Sequence, residues 1–209
     1  NNPFDVPVIV LGMGKPWNNY MDKPKAVYEY IQQQANDEDI AIVVDGFDTL
    51  IRKHPDLAVQ RFIESGKRIL VSADQTNYIT RRIFGTCKGG VANAGMLMGY
   101  VGDLRRLYHQ MIRIHNTGRY DNDQVVLNRI CDYEIDHSRS IFLNVQYASL
   151  FTTAREPHVH DAVFVSFPGK SDGSMYEKMK GIVEYSPYFW REVIILFILL
   201  WMFRFFYVQ

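Results

Sequence analysis

The sequence predicts an α/β domain, a mostly parallel β-sheet flanked by helices, followed by one hydrophobic C-terminal helix. Three observations carry this prediction. Short apolar runs alternate with stretches of helical periodicity over the first 170 residues. Two of the runs, IAIVVD and ILVSAD, stop on an aspartate. Near the end, VIILFILLWMF (193–203) is an uninterrupted apolar run of eleven residues.

The elements follow in order. VPVIVLG (6–12) is a short apolar run that ends in glycine and reads as a strand. KPKAVYEYIQQQAN has helical spacing, with Ala26, Tyr30 and Ile31 inward. DIAIVVD is a buried strand, and PDLAVQRFIESG is a helix closed by Gly66. KRILVSAD is the next strand. VANAGMLMGYVGDLRRLYHQMIRI holds a strand and then a helix that starts near Asp103. YDNDQVVLNRIC is a loop that leads into a helix, and SIFLNV and DAVFVSF are late strands. No internal repeat or low-complexity linker interrupts this order, so residues 1–186 read as one domain and 187–209 as a hydrophobic tail.

A helix from Val193 to Val208 would be about 24 Å long at ~1.5 Å per residue. That is short beside a bilayer core of ~30 Å. Arg204 sits near an end, where its charge can reach the interface, and Trp190, Trp201 and Tyr207 suit such a boundary. The tail is therefore expected to associate with a membrane; the competing expectation is a helix docked on a partner protein.

Composition narrows the partners. Hydrophobic residues make up 47% of the 209, which fits a folded chain. Lys plus Arg and Asp plus Glu balance at 23 each, with no basic stripe, so no nucleic-acid partner is expected. Cys87 and Cys131 show no CxxC spacing and read as two buried thiols. NNPFDVPVIVLG lacks the basic start and long apolar core of a signal peptide.

In open α/β sheets, ligands sit at the carboxyl ends of strands. VVDGFD places Asp45 and Asp48 there, three residues apart. Two carboxylates on one strand-to-loop turn can present oxygens to a hard cation, Mn²⁺ or Mg²⁺, whose other positions go to water and phosphate oxygens. Asp-x-x-Asp also occurs in loops for solubility or capping.

Beyond this pair, the chain resembles the glycosyltransferase domain of the procollagen-lysine hydroxylase/glucosyltransferase proteins and their viral relatives. VIVLGMGKPW, DEDIAIVVDGFDTLI, FIESGKRILVSAD, NAGMLMGY, YDNDQVVLNRI and IDHSRSIFLN carry the resemblance, in order, over most of residues 4 to 170. It implies a GT-A nucleotide-diphospho-sugar fold, Mn²⁺, a UDP-sugar donor and a protein or glycan acceptor. It makes Asp45 and Asp48 the metal pair and puts Phe47 against the uracil ring, where an aromatic can stack. Lys25 is implied near the diphosphate, and Trp17 on a loop over the donor. Asp74 is implied near the sugar, with Asn93 and Gly95 lining its pocket. Asp123 is the first choice for chemistry, bonding a sugar hydroxyl or taking the acceptor proton. It competes with a plain reading as the N-cap of the following helix. Asp121 and Gln124 come second, and Gly169 and Lys170 match a glycine and lysine that approach the diphosphate.

Two departures stand out. Ser166 occupies the place of a family histidine that completes the metal site, and a hydroxyl is a poor ligand beside an imidazole. His158 and His160 lie just upstream and read as structural or exposed. The family's first strand is expected ahead of FDVPVIVLG and is not in the sequence. The expected function is a metal-dependent hexosyltransferase using a UDP-sugar. The alternative is a non-catalytic sugar-nucleotide-binding or structural membrane protein that retains the fold.

Overall fold

The computed structural model describes residues 2–34, 36–145, 161–167 and 185–207. The chain divides into two compact units, residues 1–170 and 171–209.

In the first unit, strands β1 (Ile40–Val44), β3 (Ile69–Ala73), β4 (Ala92–Tyr100) and β5 (Glu134–Asp136) form one sheet in the order β1-β4-β3-β5. A second sheet orders β2 (Thr49–Ile51), β7 (Phe164–Ser166) and β6 (Phe142–Asn144) as β2-β7-β6. The sheets are mixed rather than mostly parallel. β4 runs antiparallel to both β1 and β3, and β2 antiparallel to β7; β3–β5 and β6–β7 are the parallel pairs. Apolar content and period-2 alternation are the same read in either direction, so they carry no information on strand polarity.

Both faces of the larger sheet are covered, which is why its strands read as unbroken apolar runs. Ile69, Val71 and Leu97 point to one side, where they pack with Val27 and Ile31 of α1 (Asp22–Gln34), Leu104, Leu107 and Met111 of α4 (Val101–His115), and Val126 and Leu127 of α5 (Asp123–Ile130). Leu70, Met96 and Met98 point to the other side, against Ala58 and Phe62 of α2 (Pro55–Ser65) and against Ile141, Phe142 and Phe164. Gly66 ends α2 at φ 64°, a left-handed position where glycine costs little. α3 (Tyr78–Phe84) is closed at its start by a capping box between Asn77 and Thr80. On α1, the inward residues include Val27 and Ile31, while Ala26 and Tyr30 are half-buried.

Two expectations are corrected here. Residues 6–12 form no strand, and Val8, Ile9 and Val10 are more than half exposed. An apolar run becomes a strand only with a partner for its backbone groups, and the described strands pair with one another. Cys87 and Cys131 form a disulfide instead of two thiols, with their Cα atoms 5.3 Å apart. Cys131 caps α5 in a left-handed conformation (φ 59°), and Cys87 sits in a tight turn whose backbone pairs with Gly90. Their separation of 44 residues hid the pairing in the sequence.

In the second unit a short 3₁₀ turn (Ser186–Phe189) leads into α6 (Trp190–Tyr207). Phe197, Leu200 and Trp201 are more than half exposed. Among the described residues no helix is long and apolar enough to cross a membrane. α6 has 18 residues, about 27 Å of helix, and includes Arg191, Glu192 and Arg204.

Candidate active site

Four elements deliver polar groups to one end of the larger sheet. β1 ends at Val44, so Asp45 follows directly, and its backbone N–H donates to Gly95 O at 2.8 Å. β3 ends at Ala73 and presents Asp74, whose N–H donates to Val91 O at 2.8 Å. Because β4 is reversed, its beginning lies beside the ends of β1 and β3. A register shift in the β3–β4 ladder moves the partners from Val71–Leu97 to Ser72–Asn93. Bulges of this kind re-aim side chains next to functional sites. Here it brings Asn93 and Gly95 to the aspartates. α5 contributes Asp123 and Gln124 from its first turn.

The centre of the cluster is Lys23, on the first turn of α1. Its ammonium lies 2.9 Å from Asp45 Oδ1 and 2.8 Å from Asp123 Oδ2, and donates to Ala94 O at 3.2 Å. Burial works against the Lys23 charge, but Asp123 and Asp45 together outweigh it and raise its pKa. Burial also raises the pKa of Asp45, with Lys23 pulling it back and Asp48 adding a smaller upward push. Asp123 is 5% exposed, and its Oδ1 accepts the Gln124 N–H at 2.8 Å. The N-cap of α5 is Asn122, whose side chain accepts from Val125 N at 3.1 Å. The cap of α5 is therefore not Asp123.

Asp74 is 5% exposed and holds Gln124 in place, accepting Gln124 Nε2 at 2.7 Å and its neighbour Gln75 N at 2.7 Å. Burial pushes its carboxyl up, and the hydrogen bonds from Gln124, Gln75 and Asn93 offset part of that. Asn93 Oδ1 accepts Gly95 N at 2.7 Å. Gly95 is required by space: a Cβ there would meet Asn93 Oδ1 and Asp45 Oδ2, each at 2.8 Å. Behind the cluster, Asn128 ties α5 to β4. Its amide donates to Ala92 O and accepts from Ala92 N, both at 2.9 Å.

Asp48 borders this cluster from the turn into β2. Its Oδ1 is 3.3 Å from the Ser166 hydroxyl, and Thr49 Oγ1 is 3.4 Å away. Ser166 is thus beside the second carboxylate, the position where the missing histidine was expected. Among the described residues no group of three or more His, Cys, Asp or Glu is placed to hold a metal ion.

The structure therefore gathers Asp45, Asp74, Asn93, Gly95, Asp123 and Gln124, with Asp48 alongside. It does not gather the rest. Lys25 turns to α4, with its Nζ 3.3 Å from His115 Nε2, and the lysine that the structure brings to the cluster is Lys23. The reason is helical phase: Lys23, Val27 and Ile31 repeat every four residues on the buried stripe, whereas Lys25 points away from it. That spacing was the available signal. Asp121 is exposed and lies 3.3 Å from His115 Nδ1. Trp17 is exposed and edge-on to Tyr20, and Phe47 is fully exposed on the β1–β2 turn. Gly169, Lys170, His158 and His160 lie outside the described residues.

Comparison with known proteins decides the family. The family model of the PLOD GT domain, the procollagen-lysine hydroxylase glycosyltransferase domain, matches residues 1–158. The chain belongs to this PLOD glycosyltransferase family. No curated protein matches it. Among solved structures, it is similar to an active-site mutant of LgtC, with 16% identity and a TM-score of 0.44. It is also similar to the galactosyltransferase LgtC in complex with donor and acceptor sugar analogues, with 17% identity and a TM-score of 0.46. In each case the match covers 78% of this chain and 66% of the LgtC chain. The PLOD-type domain is thus a glycosyltransferase domain of mixed α/β architecture, and the cluster around Lys23 is its candidate active site.

Proposed function

We propose that this domain transfers a hexose, glucose or galactose, from a UDP-sugar to a hydroxyl of a protein or glycan acceptor, with Mn²⁺ or Mg²⁺ at Asp45 and Asp48. One observation carries the reading. Separate elements converge on Lys23, Asp45, Asp74, Asn93, Asp123 and Gln124 at the open end of the sheet, where α/β folds bind ligands.

The donor set suits a hard cation that arrives with phosphate. Two carboxylates on one turn are what Mg²⁺ or Mn²⁺ takes from a protein when a nucleotide supplies further oxygens. Bound there, such an ion would offset charge on the departing diphosphate. The chain's own groups do the remaining work. The Lys23 ammonium, in the role expected of Lys25, faces the diphosphate and stabilises the leaving UDP. Asn93 and Gln124 bond sugar hydroxyls, and Asp74 holds the Gln124 amide at 2.7 Å so that its carbonyl faces the sugar. Asp123 takes the acceptor proton as the new glycosidic bond forms, or bonds a sugar hydroxyl. Trp17, Gly169 and Lys170 complete the donor site in this proposal.

Calorimetry with UDP is the test. UDP should bind roughly tenfold more tightly with Mn²⁺ than with chelator, and Asp45→Asn should abolish the difference. Equal binding in both conditions would end the cation assignment. Binding without turnover of UDP-glucose or UDP-galactose would select the non-catalytic alternative.

Phe47 supplies a separate prediction. Its ring is fully exposed, so stacking on uracil adds contact where none exists in the free protein. Phe47→Ala should weaken UDP by roughly 2- to 12-fold, the equivalent of about 0.5–1.5 kcal/mol, with Tm unchanged. Unchanged UDP affinity would remove Phe47 from the uracil site.

The exposed apolar residues of α6 support association with a membrane. The whole chain should float with liposomes, and one ending at Tyr185 should not. Equal behaviour of the two would remove the assignment.

A further inference from the structure

Asp45 is the carboxylate that two cations claim. Lys23 Nζ has Asp45 Oδ1 at 2.9 Å, Asp123 Oδ2 at 2.8 Å and Ala94 O at 3.2 Å. The ammonium donates to Asp45 Oδ1 and Ala94 O and is ion-paired with Asp123, so its charge is already matched by two carboxylates. A divalent ion approaching Asp45 therefore meets a positive charge already seated on the same carboxylate. Among the described residues, the side-chain groups bonded to Asp48 are the hydroxyls of Ser166 and Thr49, which carry no charge to compensate. No third acidic or imidazole ligand joins the pair among the described residues.

We propose that Lys23 is an internal counter-ion that competes with the divalent cation for Asp45 and yields only when a diphosphate gives its ammonium new acceptors. The inference rests on the reading of Asp45 and Asp48 as a cation pair, and it adds an order to that reading. Cation and nucleoside diphosphate enter together, because the diphosphate draws Lys23 off Asp45 and also supplies the oxygens that Asp48 and Ser166 do not. The ion pair keeps the carboxylates matched while the site is empty, and a buried carboxylate without a partner is costly. By linkage, each ligand strengthens the other.

The test separates this role from a purely structural ion pair by sign. MnCl₂ is titrated into nucleotide-free protein, and UDP into protein saturated with MnCl₂. Lys23→Met should bind Mn²⁺ alone roughly tenfold more tightly than the wild type, a usual size for coupling between sites. The same variant should bind UDP roughly tenfold more weakly, because a charged contact to phosphate is gone. Lys23→Arg, which keeps the charge, should leave Mn²⁺ binding as weak as in the wild type. Should Lys23→Met fail to fold, Lys23→Gln retains polar donors without charge and carries the same expectation. A neutral variant that binds Mn²⁺ no better than the wild type overturns the inference. If Asp45→Asn still abolishes the Mn²⁺ effect on UDP, the donor-site reading survives that result. If wild-type UDP binding ignores Mn²⁺, the cation reading fails, and this inference fails with it.

Discussion

Asp123→Asn is expected to lower kcat for sugar transfer by roughly 10²–10⁴-fold, the range lost with a positioned general base. Asparagine keeps the size and the hydrogen-bonding oxygen that meets Gln124 N, but it cannot take a proton at neutral pH. The N-terminus of α5 should survive the change because the cap is Asn122. The ion pair to Lys23 does not survive, so stability must be measured alongside. The expected pattern is a folded protein that binds UDP with Mn²⁺ within a few-fold of the wild type and turns over very slowly. Unchanged kcat would remove Asp123 from the chemistry and leave it as a partner of Lys23.

The second large effect is on stability. Replacing Cys87 and Cys131 by alanine is expected to cost about 4 kcal/mol, the loop-closure estimate for their separation. The bond joins the turn after α3 to the C-terminal end of α5. Asn128 fastens the same helix to β4 one turn earlier, so two ties hold the element that presents Asp123 and Gln124. The double variant should show a lower urea midpoint, and a reducing agent should bring the wild type to nearly the same midpoint. A midpoint unchanged in both experiments would mean that the cysteines are not joined in solution.

Much of the site was legible because it rests on local rules. A buried run that stops on an acid marks a strand end, so the sequence alone places Asp45 and Asp74 there. Asn93, Gly95, Asp123 and Gln124 came from short segments whose resemblance to the family is carried by residues close together in the chain. Lys23 and Lys25 both lie in DKPK, and only helical phase against Val27 and Ile31 distinguishes which of them faces the cluster. Asn122 and Asp123 both have the side-chain oxygen that a cap needs, so the sequence leaves the cap between them and the structure assigns it to Asn122.

By itself, then, the sequence determined the alternation of strands and helices, the apolar faces that bury them, the family, and most of the polar residues at the strand ends. These depend on periodicity and on short contiguous patterns, which are properties of neighbouring residues. The tertiary structure alone decided that β4 runs against β1 and β3, that residues 6–12 form no strand, that Cys87 meets Cys131, and that Lys23 sits between Asp45 and Asp123. Each of those joins groups distant in the chain or depends on which backbone finds a partner. Such contacts are set by the free energy of packing the whole domain, and local composition does not encode them.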